Sequence, residues 1–527
     1  MRGAFELENE LITQLGKLET IGDDTLGQGL KLDGNISLFD AVVPFLLLYR
    51  IPLIFEASRR KSISLYLNIL VRGLSARLFG FIDSLRLKRN LKLHINNEKN
   101  SFAGHGMLIF AHYNFFRDVL GPVFRELNLK SPNKFMALQI IYDNCNRGLS
   151  SFLSFYDSKV QKDKELLDEA LGTIRSKVFS KKFKKQLFEL EAQFDIKSHL
   201  LISELWWLFY REFPRLIVHL AIAENILENK KINVLITADD ADQKSRIYCL
   251  VASDKGIATL AIQQGVTRED YPDWKHLTVD KVACMGEISK RNILKQGAEK
   301  DICTITGHPG FDCIHNRDEE NISLLLKKYS IDKGKPIILF ASQPYLPGAW
   351  TSRKKRIESF FNIHQLFSRR SDLTLLIKPH PSDNVKELIS IFKGSENIVL
   401  IEGKEDIIPF IQLCDIFMTH FSQTTIQALI AGKPVIIVDL AECYDHSNFN
   451  QNIGIDATYE DLIPIANDAG QLEYHIGQLI ETDYKYDIER HGLMAEFLYK
   501  NIFKADGKAT MRITSVIDNL AEENKTK

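Results

Sequence analysis

The sequence has no long hydrophobic run, no cysteine framework and almost no net charge, and each lack removes a class of protein. Its most apolar early stretch, Ala41 to Tyr49, is nine residues long and runs into Arg50-Ile51-Pro52, where charge and proline interrupt it. A spanning helix needs about 20 apolar residues, so no transmembrane segment is expected. The N-terminus, MRGAFELENELITQ, is acidic and polar and does not read as a secretory signal. The seven cysteines are scattered, with no CxxC pair and no ligand-like spacing to histidine. Neither a disulfide framework nor a zinc site is therefore expected, and a reducing cytoplasm fits that usage. A net charge of −1 over 527 residues argues against a general nucleic-acid binder. There is no short-period internal repeat.

What is present describes a large globular chain. Apolar residues make up 45% and charged residues 26%, and the length suffices for two or three domains with sizeable cores. The charge is uneven. Between Arg50 and Lys92 stand ten Lys or Arg against Glu56 and Asp83, a net of +8 that leaves −9 for the rest. The run LYLNILVRGLSARLFGFIDSLRLKRNL sets apolar residues on one side and arginines on another. Residues 1–104 therefore read as a helical basic extension. Two uses are open: residues 50–92 lie on an anionic membrane surface, or the helices cap the next domain with their arginines solvated.

From Gly106 the texture changes to α/β alternation. MLIFAHYNFFRDVLGPVFRELN reads as a strand, a polar turn holding His112 and Asn114, and a helix; FMALQII is a second strand. About 157–228 the pattern is helical and charge-rich, an insertion in which Trp206-Trp207 read as core. The alternation resumes with INVLITADDADQ, a strand ending in Asp239 and Asp240, and IATLAIQQGVT, a strand ending in Gln263-Gln264-Gly265. ICTITGHPGFD, with His308, closes a first domain over 105–320. A second domain over 321–527 opens with the strand PIILFA, tipped by Ser342 and Gln343, and ends in helices.

The chain is organised around Asp372 to Leu440. The apolar runs LTLLI and PVIIV have the look of strands buried on both faces. Lys378-Pro379-His380-Pro381 follows the first strand of this stretch, and its prolines stiffen a loop that holds a cation and an imidazole. CDIFMTH ends in His420-Phe421-Ser422-Gln423-Thr424-Thr425, whose hydroxyls suit the cap of a helix beginning near Thr425. Ligands of open parallel sheets bind at the carboxyl ends of strands, and a helix N-terminus there favours an anion, most simply a phosphate.

The order DDA, QQG, GE, TGHPGFD, SQP, KPHP, then S-x-T-T before A-GKPVI, resembles the GT-B glycosyltransferases of bacterial surface polysaccharide synthesis. The nearest groups are bacterial sialyltransferases, Kdo transferases and CDP-glycerol glycerophosphotransferases. The resemblance implies two Rossmann-like domains facing a cleft, a nucleotide-sugar donor bound by the second and a glycan or lipid-linked acceptor by the first. It implies a transferase moving sugar from a CMP- or UDP-sugar, with no cofactor beyond the donor; a cytoplasmic location is expected, with the basic N-terminal helices offering association with the inner face of the membrane. His380 matches the HP motif that contacts the nucleotide phosphate, and Ser422, Thr424 and Thr425 match the phosphate-binding serine or threonine motif. Lys378, Ser342 and Gln343 are secondary donor contacts. Asp239 and Asp240 match the acidic motif whose carboxylate deprotonates the acceptor, with Ala241 in place of its glycine. Asp240-Ala241-Asp242 also fits a DxD metal pattern, a device of a different architecture, and the alternative is a helix cap.

Two departures stand out. Gln427 replaces the glutamate that holds the ribose in many such enzymes. Gln264, beside Gly265, stands where glycerophosphotransferases carry a histidine important for transfer, which counts against that chemistry and makes His112 a reserve base. Two other functions share the fold: a UDP-N-acetylglucosamine 2-epimerase-like isomerase, with its TGHP-like turn, and a non-catalytic module that binds glycan or nucleotide.

Overall fold

A computed structural model of the chain describes residues 4–18, 31–33, 36–59, 65–77, 106–112, 116–130, 135–140, 158–229, 232–238, 240–267, 274–345, 352–402, 405–420, 422–443, 459, 462–485 and 488–524. Asn114, Asp239, Arg86, Lys88, Arg89 and Lys92 lie outside the described residues. The chain divides into two compact units, residues 1–283, 292–304 and 513–527 in the first, and 284–291 and 305–512 in the second.

The first unit begins with α1 (Ala4–Gly16) and a short antiparallel ribbon, β1 (Lys31–Asp33) and β2 (Ile36–Ser37), which the helical reading of the extension did not foresee. Ser37 caps α2 (Leu38–Phe45) by accepting the Asp40 N–H at 3.3 Å. A π-helical turn, Leu46–Arg50, leads into α3 (Ile51–Arg59), and α4 spans 65–77. Then follow β3 (Gly106–His112), α5 (Gly121–Lys130) and β4 (Phe135–Ile140). The helical insertion is α6 (Ser158–Val178), α7 (Lys181–Gln193), α8 (Leu200–Trp207) and α9 (Phe213–Asn229). β5 (Ile232–Thr237), α10 (Gln243–Asp254), β6 (Ala258–Ile262), β7 (Lys281–Cys284), α11 (Glu287–Lys295) and β8 (Cys303–Ile305) complete a six-stranded sheet of order β4-β3-β5-β6-β7-β8. Neighbours from β4 to β7 pair in parallel, as alternating strands and helices require.

The basic extension is built into this unit. Arg50 and Arg72 both bind the buried carboxylate of Glu204 on α8 and lie over the Trp207 ring, 5.5 and 4.7 Å from its centroid. Arg77 covers Trp206 at 4.9 Å. Gly73 comes so close to α8 that a Cβ there would lie 2.4 Å from the Ser203 carbonyl oxygen. Arg50 and Arg72 thus pair with the protein, while Arg77 remains exposed above its ring. No helix among the described residues is long and apolar enough to cross a membrane.

The second unit contains the 3-10 turn Pro309–His315, α12 (Glu319–Lys328), β9 (Ile337–Ala341), α13 (Arg353–Phe367), β10 (Thr374–Lys378), α14 (Val385–Phe392), β11 (Ile398–Leu400), α15 (Ile408–Leu413), β12 (Ile416–Thr419), α16 (Thr424–Ile430), β13 (Val435–Val438), β14 (Ile465–Ala466), α17 (Ala469–Glu481) and α18 (Ile488–Ile502). Its sheet, order β11-β10-β9-β12-β13-β14, is parallel throughout. Ile338, Phe340, Leu375, Ile377, Ile416 and Met418 fill its core against α13 and α17.

The units divide at 304/305, inside the span read as the first domain. Asp312 explains this: its two carboxylate oxygens accept the N–H groups of Ala509 and Thr510 at 2.9 and 2.7 Å, tying the 3-10 turn to the start of α19 (Ala509–Glu523). Ile513, Ile517 and Leu520 of α19 enter the core of the first unit beside Val234, Ile236 and Leu260.

Candidate functional site

In the second unit the strand order turns back at β9: β10 and β11 are added on one side, β12 to β14 on the other. At such a point the loops on the carboxyl side diverge and leave a crevice. Register puts Ala341 opposite both Lys378 and Thr419. The loops carrying Ser342, His380 and Ser422 therefore leave the sheet at one level.

Ser342 is a fastener rather than a donor contact. Its backbone N–H donates to the Lys378 carbonyl at 3.1 Å, and its hydroxyl donates to Asp383 Oδ2 at 2.5 Å while accepting the His380 N–H at 3.3 Å. Asp383 Oδ2 also accepts that N–H, at 3.1 Å. The Gln343 carbonyl accepts Arg356 Nε at 2.9 Å, with its side chain half-buried. Lys378 is buried, and its ammonium donates to the Pro379 carbonyl at 3.2 Å.

His380 is half-buried, and its Nδ1 accepts the Ser382 N–H at 3.1 Å. An accepting Nδ1 puts the proton of the neutral ring on Nε2, which becomes a donor. Burial lowers the pKa of this imidazole; Lys378 adds to the effect and Asp383 opposes it.

Ser422 Oγ accepts the Thr424 N–H at 3.2 Å, an ST turn that starts α16. Immediately after it, three buried polar atoms have no hydrogen-bond partner among the described residues: Thr424 Oγ1, Thr425 Oγ1 and Gln427 Oε1. A buried unpaired group costs about 1–3 kcal/mol, and three within four positions mark a place built for something else to bind.

One residue of this site was missed. His420, fully buried at the tip of β12, shares a 3.2 Å hydrogen bond with Ser359 Oγ through Nε2 and packs on Phe340 and Phe360, ring centroids 5.1 and 5.5 Å away. Its place at the end of CDIFMTH, two residues before Ser422, was the only signal for it.

The first unit also turns back once, between β3 and β5. His112 ends β3 opposite Ile140. Asp240 is buried and fully engaged: Thr278 donates its hydroxyl to Oδ1 at 2.5 Å and its N–H to Oδ2 at 2.6 Å, with Arg246 at 3.3 Å. Both carboxylate oxygens are occupied, which corrects the base role expected of it. Asp242 accepts the N–H groups of Lys244 and Ser245 and so caps α10. Among the described residues no group of three or more His, Cys, Asp or Glu is disposed to hold a metal ion.

Gln264 and Gly265 are half-buried, and the neighbouring Gln263 donates its amide to the Gly265 carbonyl at 2.6 Å. In the second unit, His308 is buried, accepts the Gly310 N–H at 3.1 Å and stacks on Phe311 at 4.2 Å, which makes it a turn-former. His276 escaped the sequence reading: burial first, then Arg246 and Lys275, push its pKa down to about 4.

The two Rossmann-like units have the fold of the GT-B class, and the second carries polar strand tips and hydroxyls without a partner among the described residues at its switch point. Residues 267–519, just under half of the chain, match the model of the CDP-Glycerol:Poly(glycerophosphate) glycerophosphotransferase family, and what this match supports is a glycosyltransferase-type enzyme of cell-surface polymer synthesis. The matched span begins just beyond Gly265, so the Gln264 departure lies outside it. No curated protein matches the chain. Among solved structures it is similar to UDP-GlcNAc 2-epimerase from Neisseria meningitidis bound to UDP-GlcNAc, at 15% identity over 79% of this chain and 100% of that one, TM-score 0.47. The UDP-N-acetylglucosamine 2-epimerase of Listeria monocytogenes gives 15% identity, 79% and 97% coverage, and TM-score 0.49. A histidine variant of the wall teichoic acid polymerase TagF soaked with CDPG gives 12% identity, 86% and 98% coverage, and TM-score 0.47.

Proposed function

We propose that the enzyme uses a cytidine-nucleotide donor, held by the second unit, and transfers its glycosyl or related group to a hydroxyl of a cell-surface polymer or lipid-linked acceptor. The observation that carries this is the run of unpartnered buried atoms Thr424 Oγ1, Thr425 Oγ1 and Gln427 Oε1 at the strand-order reversal. Hydroxyls there suit phosphate oxygens, which only accept hydrogen bonds, and the Gln427 amide suits a sugar hydroxyl.

By this reading His380 supplies an Nε2–H to the departing phosphate, and Lys378 adds positive charge as the bond to the phosphate oxygen breaks. A neutral His380 can give a hydrogen bond without holding the product as a fixed cation would. Asp239, the residue before Asp240 in the sequence, takes the acceptor proton in place of the fully engaged Asp240, with His112 as the second candidate. The reading needs no cofactor beyond the donor. A lipid-linked acceptor would bring the enzyme to the inner face of the membrane. The family match supports transfer over the isomerase reading.

Thermal shift with CMP, CDP, UMP, UDP and GDP tests this, with His380→Ala beside the parent protein. Saturable stabilisation by a cytidine nucleotide, weakened in His380→Ala, is expected. Stabilisation by none of the five nucleotides would sink the proposal in favour of a non-catalytic module.

A further inference from the structure

The loops that carry His380 and Ser422 leave different strands, yet one face of one helix reaches both. Arg356 and Ser359 stand three positions apart on α13, so they share a face one turn apart. Arg356 is almost wholly buried and uses its whole fork. Nη2 donates to Asp383 Oδ1 at 2.6 Å, Nε to the Gln343 carbonyl at 2.9 Å and Nη1 to Glu387 Oε2 at 3.2 Å. Asp383, its side chain 1% exposed, turns its other oxygen to the His380 N–H and the Ser342 hydroxyl. Ser359, fully buried, meets His420 at 3.2 Å, and Phe360 fills the space between, under Arg356 at 4.5 Å and beside His420 at 5.5 Å.

We infer that α13 is a brace holding the two donor loops in register, and that Arg356 and Ser359 are positioning residues acting through Asp383 and His420. A surface ion pair would bring little order, whereas a buried guanidinium with three directed hydrogen bonds fixes the geometry of its partners. Lysine keeps the charge but presents no planar fork, so Arg356→Lys tests geometry and not net charge. This inference rests on the proposed donor role of the two loops, and its test separates the two.

The experiment uses full-length protein with 13Cε1-labelled histidine, the His380 and His420 signals being assigned from His380→Gln and His420→Gln, together with calorimetric titration of CDP. Arg356→Lys is expected to move the His380 signal and its titration midpoint and to weaken CDP binding by about tenfold or more, as loss of a positioning group does. Ser359→Ala is expected to move the His420 signal, leave that of His380, and weaken CDP binding too. A merely structural role would lower the melting temperature and leave ring signals and the CDP affinity of the folded protein unchanged; that result overturns the brace. If the parent protein binds no CDP, the donor reading fails, and unmoved ring signals would still overturn the brace while moved ones uphold it. Should Arg356→Lys not fold, Ser359→Ala decides by the same two readouts.

Discussion

Thr278 gives Asp240 both its hydroxyl and its backbone N–H, at 2.5 and 2.6 Å, and leaves the carboxylate no edge to offer a substrate. Arg246, which pairs with the same carboxylate at 3.3 Å, also donates to the Asp40 carbonyl at 2.8 Å. The acid therefore ties the tip of β5 to the N-terminal cap. Asp240→Ala would leave a buried guanidinium uncompensated, and a loss of about 3–5 kcal/mol is expected in urea denaturation. An Asp240→Asn protein of parental stability that had lost all transfer would reverse this assignment.

Thr425 carries a hydroxyl with no hydrogen-bond partner among the described residues. Replacing it with the near-isosteric valine removes an unpaired polar atom, so Thr425→Val is expected to hold or gain stability, by about 1 kcal/mol at most. The same change should weaken nucleotide binding. Thermal melts with and without CDP measure both effects, and a variant that keeps the full CDP shift would show that this hydroxyl has no ligand.

Gly73 marks the tightest crossing of the cap. A Cβ would stand 2.4 Å from the Ser203 carbonyl oxygen and 2.7 Å from its Cα. Backbone cannot yield as a flexible side chain would, so Gly73→Ala should push α4 off α8 and cost about 1–3 kcal/mol. It should also loosen Arg72 from Glu204. Faster amide exchange along 65–77 is the expected signature, and parental exchange would mean that the helices separate without penalty.

His276 should shape the acid limb of stability. Its folded pKa, about 4, lies below the ordinary 6.5, so the unfolded chain takes up a proton that the folded chain refuses. The contribution is complete above about pH 6.5 and disappears as pH falls through about 4. His276→Gln should flatten the fall in melting temperature across that window. An unchanged slope would assign it to other groups.

Much of the second unit was legible because its signals are local. LTLLI and PVIIV read as strands of a buried parallel sheet, and a proline-stiffened KPHP loop or a run of hydroxyls before a helix declares itself in five or six residues. Strand order followed less directly, but alternation of strand and helix left few choices. The sites of error were those where a partner far along the chain decides the role. Asp240 looks like a free acid until Thr278 is brought to it. Ser342 looks like a ligand contact until Asp383 closes on its hydroxyl. Arg50, Arg72 and Arg77 find their protein partners only when Glu204 and two tryptophans are supplied from an insertion some 130 residues away.

The class of fold can be read along the chain, because periodicity, proline placement and short polar motifs act over neighbouring residues. Which polar groups the protein uses for its own hydrogen bonds, and which it leaves for a ligand, is settled only on folding. That depends on the desolvation and hydrogen bonding of each side chain by residues distant in sequence, as Arg356 and Asp383 show. Those two residues carry no motif, and their pairing exists only where α13 crosses the carboxyl edge of the sheet.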